Sequence, residues 1–265
     1  MAITPKPSSA MSAFTLDGND HLADIRNIEW GAEVQSEMGH GINSQETKAC
    51  PVKVDSSLDF EMFLAGTGCP HGGTSLTALT VDAENILAAT SSFNVAIRIG
   101  NVPADGVADL KKSRAATTRT VTYTFDVKIA VAATTVGVMA SILGATESTL
   151  SDLVMSVSLV FAGTTYTQEC TVKSCKHKAT RDGIQTYTMV LESRAKASAP
   201  ASGTSVIAVA LIGDALLTVV SDSEAGQYGG TLLLESLSFG VQNGQLGAIN
   251  GSGFFQGGVT HAASA

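Results

Sequence analysis

Hydrophobic and polar residues alternate along most of the informative stretches of the chain. Residues 58–64 carry apolar side chains at even positions and Asp59 and Glu61 between them, and residues 123–129 repeat the pattern at odd positions. A period of two is typical of a half-buried β-strand. The same reasoning predicts further strands over 13–16, 25–34, 78–81, 92–99, 157–161, 167–173, 185–192, 206–212, 231–241 and 246–255.

Turn chemistry separates these segments. Asp17-Gly18, Ala162-Gly163, Asp182-Gly183 and Asn243-Gly244 all offer residues that tolerate positive φ. Residues 145–155 combine hydroxyl caps with an early Glu147, which fits one short helix, but strand-like alternation follows at once. The pattern therefore predicts an all-β protein, an antiparallel sandwich or barrel with at most one or two short helices.

The chain aligns with itself at two offsets. At an offset of 65, residues 14–64 lie over 79–129 with about six of 51 pairs identical, and a second match, starting at an offset of 62, relates residues 166–192 to 228–255. These matches indicate an internal repeat within a β domain over 13–265, preceded by an N-terminal arm over 1–12. Two unrelated β-hairpins of similar length would show a similar pattern, so both interpretations stay open.

Two long polar connections, residues 35–55 and 100–119, are predicted inside the first aligned pair. Loops longer than about 12 to 15 residues are usually functional or disordered, and in an assembling subunit they would reach a neighbour. The charged residues in them are the candidate inter-subunit contacts: Lys111, Lys112, Arg114, Arg119, Glu37, Glu46 and Lys48. For the basic cluster at 111–119, a solvated loop is the alternative, and nucleic-acid binding is disfavoured because no aromatic residues interleave.

Composition points to assembly. Charged residues make up 15% of the chain, against roughly 25% in ordinary soluble domains. A subunit whose faces are covered by other copies needs fewer surface charges than a free monomer. The net charge of −8 argues against a surface that grips nucleic acid through its phosphates.

Candidate chemistry is sparse. The five histidines and the four cysteines have no catalytic or metal-ligand spacing, and Asp17, Asp20 and Asp24 lack the pattern of an EF-hand, which favours turn and cap roles. On one continuous strand Cys170 and Cys175 would face opposite sides and could not form a disulfide. No cofactor, metal or enzymatic activity is expected. Residues 1–12 lack the apolar region of a secretory signal, so we expect assembly in a cytoplasm.

The chain resembles the major tail (tail tube) proteins of siphophages. The resemblance lies in FTLDGNDHLADIRNIEWGAEV near the start, in the central hairpin YTQECTVKSCKHKATRDGIQTYTMVLES, and in QYGGTLLLESLSFGVQNGQLGAINGSGFFQGG at the end. None of these is a sharp motif, and together they touch about half of the residues. The chain departs from the family in its size and repetition, which leaves open whether it holds one tube domain or two in tandem.

The resemblance implies a structural virion protein. Its copies would close into rings, usually hexameric, and the rings would stack into a tube through loops and a terminal arm. Its partners would be other copies of itself, the tape measure protein and the tail terminator and tip proteins, with phage DNA passing an acidic lumen without specific binding and no membrane contact. The rival interpretation is a capsid decoration protein or a surface-layer or adhesin-type binding module.

Overall fold

The computed structural model describes residues 11–40, 47–63, 76–82, 84–106, 109–128, 144, 153–161, 164–179, 181, 183–195, 197, 206–223, 226–242 and 247–262. Fourteen antiparallel strands form one connected sheet, which confirms the all-β prediction. The strands are β1 (Met11–Leu16), β2 (Asn19–Asp20), β3 (Ile25–His40), β4 (Thr47–Phe63), β5 (Leu76–Val81), β6 (Glu84–Asn85), β7 (Thr90–Pro103), β8 (Arg114–Lys128), β9 (Val154–Phe161), β10 (Thr164–Lys178), β11 (Thr186–Ser193), β12 (Leu216–Ser223), β13 (Gly226–Gln242) and β14 (Ala248–Ala262).

The alternation predicted for residues 58–64 and 123–129 places one face of β4 and one face of β8 in the core. Leu58, Phe60 and Met62 of β4 are almost fully buried, as are Tyr123 and Phe125 of β8. Burying each such side chain contributes about 1.5–3 kcal/mol. The period of two leaves the intervening residues on the opposite face of the sheet, where polar and charged side chains meet solvent.

Eight long strands form a continuous band in the order β3-β4-β14-β13-β7-β8-β11-β10. The other strands branch from its two halves. β12 pairs with β13 and leads to β1 and β2, while β9 pairs with β10 and leads to β5 and β6. We call β1–β4 with β12–β14 half A, and β5–β11 half B. They meet where β13 pairs with β7.

One predicted strand is a helix. Residues 206–212 contain the helix α1 (Val206–Leu211), in which every residue but Val209 is buried. A short run that is apolar at every position cannot be assigned to a strand or a helix by its period, because both faces are covered in either case. A 3-10 helix, Leu87–Ala89, precedes β7.

The two predicted long connections are mostly strand. β3 continues to His40 and β4 starts at Thr47, so the connection between them is residues 41–46 rather than 35–55. Likewise, β7 and β8 leave only residues 104–113 between them. Strand β12 was not predicted. Residues 1–10 of the predicted arm lie outside the described residues, but Met11 and Ser12 already belong to β1, and 145–155 is described only from 153, where β9 begins at Val154.

Candidate self-assembly surfaces

Strand β3 forms one open edge of the band. It pairs with β4 from Ile25 to His40 and with no other strand among the described residues. Its side chains from Ala32 to Met38 are all exposed, with Val34 at 55% and Met38 at 73%. A long strand with an unpaired edge and exposed apolar side chains is a template for pairing with another chain.

Strand β10 forms the opposite open edge. Its first part, Thr164 to Thr171, pairs with β9, and β11 covers the other side from Cys170 to Lys178. Within the described part of the chain, no strand therefore covers the β9 side of β10 from Ser174 onward. Main-chain donors and acceptors on this stretch are available to a partner strand.

The predicted basic cluster binds the chain's own half A. A main-chain segment of half B pairs with β4, because Val54 donates to the carbonyl of Leu110 and Lys112 donates to the carbonyl of Val54. Asp55, 7% exposed, accepts hydrogen bonds from Arg114 at 2.6 Å and from Lys112 at 3.2 Å. The Arg114 guanidinium also lies 3.6 Å from the centre of the Phe254 ring. The cluster thus joins the two halves within one chain.

Arg119 lines a cavity of about 510 Å³ together with Arg114, Arg194 and Asp214, and the cavity lies between the two halves because β8, β12 and β13 all border it. One of its terminal nitrogens donates to the carbonyl oxygen of Gly213. Its Nε and its other terminal nitrogen are buried and make no hydrogen bond within the described residues. Burial lowers the pKa of Arg119, since desolvation disfavours the charged form.

The remaining candidate contacts are scattered. Glu37 is exposed on β3, and the main chain of Lys48 pairs with Gly39. Lys111 is exposed beside β4 and lies against Gly258. Glu46 lies outside the described residues. An inter-subunit role stays a prediction for all seven residues.

The acidic residues near the N-terminus have turn and cap roles. Asp17, at φ 50°, accepts a hydrogen bond from the Thr218 amide at 2.7 Å, and Asp20 accepts one from the Leu22 amide at 2.9 Å. His21 lies 4.0 Å from Asp24, and burial lowers its pKa despite that carboxylate. Among the described residues no group of three or more His, Cys, Asp or Glu side chains could hold a metal ion.

Cys170 and Cys175 are free thiols, but they share a face of β10. A bulge between Val172 and Ser174 inserts one residue, so Cys170 pairs with Ser193 and Cys175 with Met189, which lie on the same face of β11. The predicted opposite orientation is therefore wrong. Burial raises the pKa of both thiols, that of Cys170 to about 12.

Sequence reasoning missed the two open edges. The charges offered a signal for complementary edges. Glu29 and Glu33 lie four residues apart on one face of β3, and Lys176 and Lys178 lie two residues apart on one face of β10. None of these four side chains makes an ion pair with a described residue. In the part of the chain that the structure covers, no helix is both long and apolar enough for a membrane span.

No protein-family model matches the chain, and no curated protein is significantly similar to it in sequence. Two solved structures resemble part of it: the virion of a native gene transfer agent particle and the tail of an empty gene transfer agent particle with C6 symmetry. Each matched chain is 12% identical, with a TM-score of 0.40, and the match covers 49% of this chain and 99% of that chain. At this identity and TM-score the likeness carries nothing about function.

Proposed function

We propose that the chain is a structural virion protein, the major tail tube subunit of a long-tailed phage or a related particle. The observation that carries the proposal is the eight-strand band with an open edge at each end, β3 and β10. Two different open edges on one band allow head-to-tail contacts between copies, and such contacts generate rings when the rotation closes. A closed ring also removes the edges on which unwanted strand pairing starts.

The low content of charge supports the same proposal. With 15% charged residues, the surface is dominated by hydroxyl, amide and small side chains, as expected of a chain covered by its own copies. Rings with six tube domains, usual in the family that the chain resembles, would need three copies if each half counts as one domain.

The band face turned away from the core would border a lumen in such a ring. It is not uniformly acidic. Half A contributes Glu29, Asp59 and Glu61, whereas half B contributes both cations, among them Arg98, Lys128 and Lys176, and the acidic residues Asp126 and Glu192. DNA would therefore pass a polar surface of mixed charge, and not the acidic lumen that the resemblance implies. Such a surface has no basic stripe on which the phosphates would be held.

Electron microscopy of the purified protein tests the proposal. We expect rings or stacked tubes in negative stain as the protein concentration rises, because head-to-tail contacts close copies into a ring and leave the faces of the ring free to stack. Compact monomers or small oligomers that never stack at any concentration would contradict the tube role and favour a decoration or adhesin-type module.

Stacking is tested separately by deletion of residues 1–10, which leaves β1 intact. If these residues form the stacking arm, the variant gives separate rings and no tubes. Unchanged tubes would reject the arm while leaving the tube role in place.

A further inference from the structure

Each strand of one half has a counterpart in the other half at a fixed separation in residue number. Every strand of β1–β4 has its counterpart 65 residues later in β5–β8, and β12–β14 begin 62 residues after β9–β11. The bounds coincide at both ends for β1 with β5, β2 with β6, and β9 with β12. The pairing order is also shared: β2-β1-β12-β13-β14-β4-β3 in half A and β6-β5-β9-β10-β11-β8-β7 in half B.

Register shifts between paired strands also recur at these offsets in residue number. A bulge in the β3–β4 pair between Gln35 and Ser36 has its counterpart between Gly100 and Asn101 in β7–β8. The bulge at Val172/Ser174 of β10 corresponds to that at Leu234/Ser236 of β13. Two further shifts correspond in the same way, Ile25/Asn27 with Thr90/Ser92 and Met11/Ala13 with Leu76/Ala78. Bulges sit at specific positions in related folds, so unrelated hairpins would not share them.

The turn after the first strand repeats atom by atom. Asp17 and Asp82 have φ of 50° and 48°, and each accepts a hydrogen bond from an amide of the facing strand, Thr218 at 2.7 Å and Ser156 at 2.9 Å. Non-glycine residues adopt positive φ only where local contacts favour it. We infer that the two halves are tandem copies of one domain.

Among the described residues, the pairing of half A with β7 has no equivalent strand pairing in half B. The band continues from half A to half B because β13 pairs with β7, from Ser236 opposite Arg98 to Gln242 opposite Ser92. The corresponding strands are β10 and β3, and these are the two open edges. We propose that β10 of one chain pairs with β3 of a second copy in the same register, so that copies join head to tail through a seam that repeats the junction inside each chain. The proposal deepens the proposed function and rests on self-association.

The register of the intrachain junction fixes the partners across the seam. Transferred at offsets of 62 and 65, it places Lys178 opposite Glu29 and Ser174 opposite Glu33 of the second copy, with Lys176 between the two glutamates on the same face. Opposite charges at facing and diagonal positions stabilise an antiparallel pair. On the core face, His177 would meet Trp30 and Cys175 would meet Ala32.

Burial supports the same pairing. Ile99 of β7 lies beside the junction and is 3% exposed, whereas its counterpart on β3, Val34, is 55% exposed. On the other strand, Phe239 of β13 is 1% exposed and its counterpart His177 is exposed. The open edges thus leave uncovered the positions that the intrachain junction covers.

The cavity beside Arg119 supports the seam independently. In half A, residues 110–112 of the β7–β8 connection lie against Val54 of β4, and Gly257 of β14 donates to the carbonyl of Lys112. The counterparts of Val54 and Gly257 in half B are Arg119 and Ala195, which line the cavity of about 510 Å³. Among the described residues, no segment therefore lies at the place in half B that the β7–β8 connection occupies in half A.

Charge reversal tests the seam. Glu29→Lys and Lys178→Glu each place like charges opposite each other, so we expect each to raise the critical concentration for assembly about fivefold to tenfold, measured by sedimentation and negative stain. The double variant restores the pair with reversed polarity and should return to within about twofold of the original value. Glu235→Lys, exposed on the band away from both edges, is the control and should change nothing.

A disulfide tests the register directly. In a background with Cys50→Ser and Cys69→Ser, Ala32→Cys should link to Cys175 of the next copy when assembled protein is oxidised with copper phenanthroline, giving a ladder of linked chains on non-reducing gels. Glu33→Cys faces the opposite side, and Ala32→Cys with Cys175→Ser lacks the partner thiol, so neither should form the ladder.

The outcomes separate the seam from the proposed function. If the unaltered protein never assembles, the tube role fails and the seam with it. If it assembles but the charge variants match the Glu235→Lys control and the Ala32→Cys ladder is absent, the seam is wrong while the tube role stands.

Discussion

The contact of Asp55 with Arg114 and Lys112 offers the sharpest test of how the halves hold together. Asp55→Asn keeps the size of the side chain but removes the charge that both cations face. The three side chains are between 7% and 23% exposed, so solvent screens the pair only in part. Removing one partner of a fully buried pair costs about 3–5 kcal/mol. Because this site is partly solvated and Arg114 keeps its contact with Phe254, we expect Asp55→Asn to lower the free energy of unfolding by about 2 kcal/mol.

Urea unfolding of the unassembled protein, followed by circular dichroism, measures this loss. With a denaturant slope of about 3 kcal/mol per molar, the midpoint should fall by about 0.7 M. Asp59→Asn is the matched control, since Asp59 lies on the same strand, is exposed and makes no ion pair with a described residue; its midpoint should stay within about 0.1 M. Equal midpoints for the two variants would refute the reasoning that Asp55 links the halves.

Three further predictions concern local packing and titration. Gly253→Ala should destabilise the protein by about 2–3 kcal/mol in the same urea assay, because a Cβ there would lie 2.3 Å from the carbonyl oxygen of Leu233 and main chain yields little; a loss below about 0.5 kcal/mol would contradict this. Burial lowers the folded-state pKa of His21, so the unfolded chain binds the extra proton and stability should fall as the pH drops below about 6.5; His21→Gln should flatten this part of the pH profile, and an unchanged slope would argue against the assignment. In unassembled protein carrying Cys50→Ser and Cys69→Ser, iodoacetamide should modify Cys175 faster than buried Cys170. Equal rates of modification, measured by mass spectrometry, would contradict the greater burial of Cys170.

The sequence predicts the core strands well because one face of each is buried. Leu58, Phe60 and Met62 alternate with acidic residues for this reason. Beyond the core, β3 continues through Ala32 to Met38 with both faces exposed. No alternation can arise there, and the stretch resembles a polar loop.

Other errors have different physical causes. In β12, Leu216 and Leu217 are adjacent, as are Val219 and Val220. Because apolar residues occur on both faces of this strand, its sequence shows no alternation with a period of two. The bulge in β10 reverses the face of Cys175, and no residue type announces such an insertion. The inter-subunit role of the candidate contacts stays a prediction, but charge alone could not show that Asp55 of the same chain binds Arg114.

The junction between β13 and β7 is supplied by one polypeptide and is therefore formed at a high effective concentration that dilution cannot change. A seam between separate copies has no such tether. An assembly built from both would loosen at every second boundary first, so dilution or gentle heating should release whole chains with their own junction still closed. Joining two domains in one chain halves the number of domain boundaries whose formation depends on protein concentration. Fewer such boundaries would lower the concentration of subunit at which assembly begins.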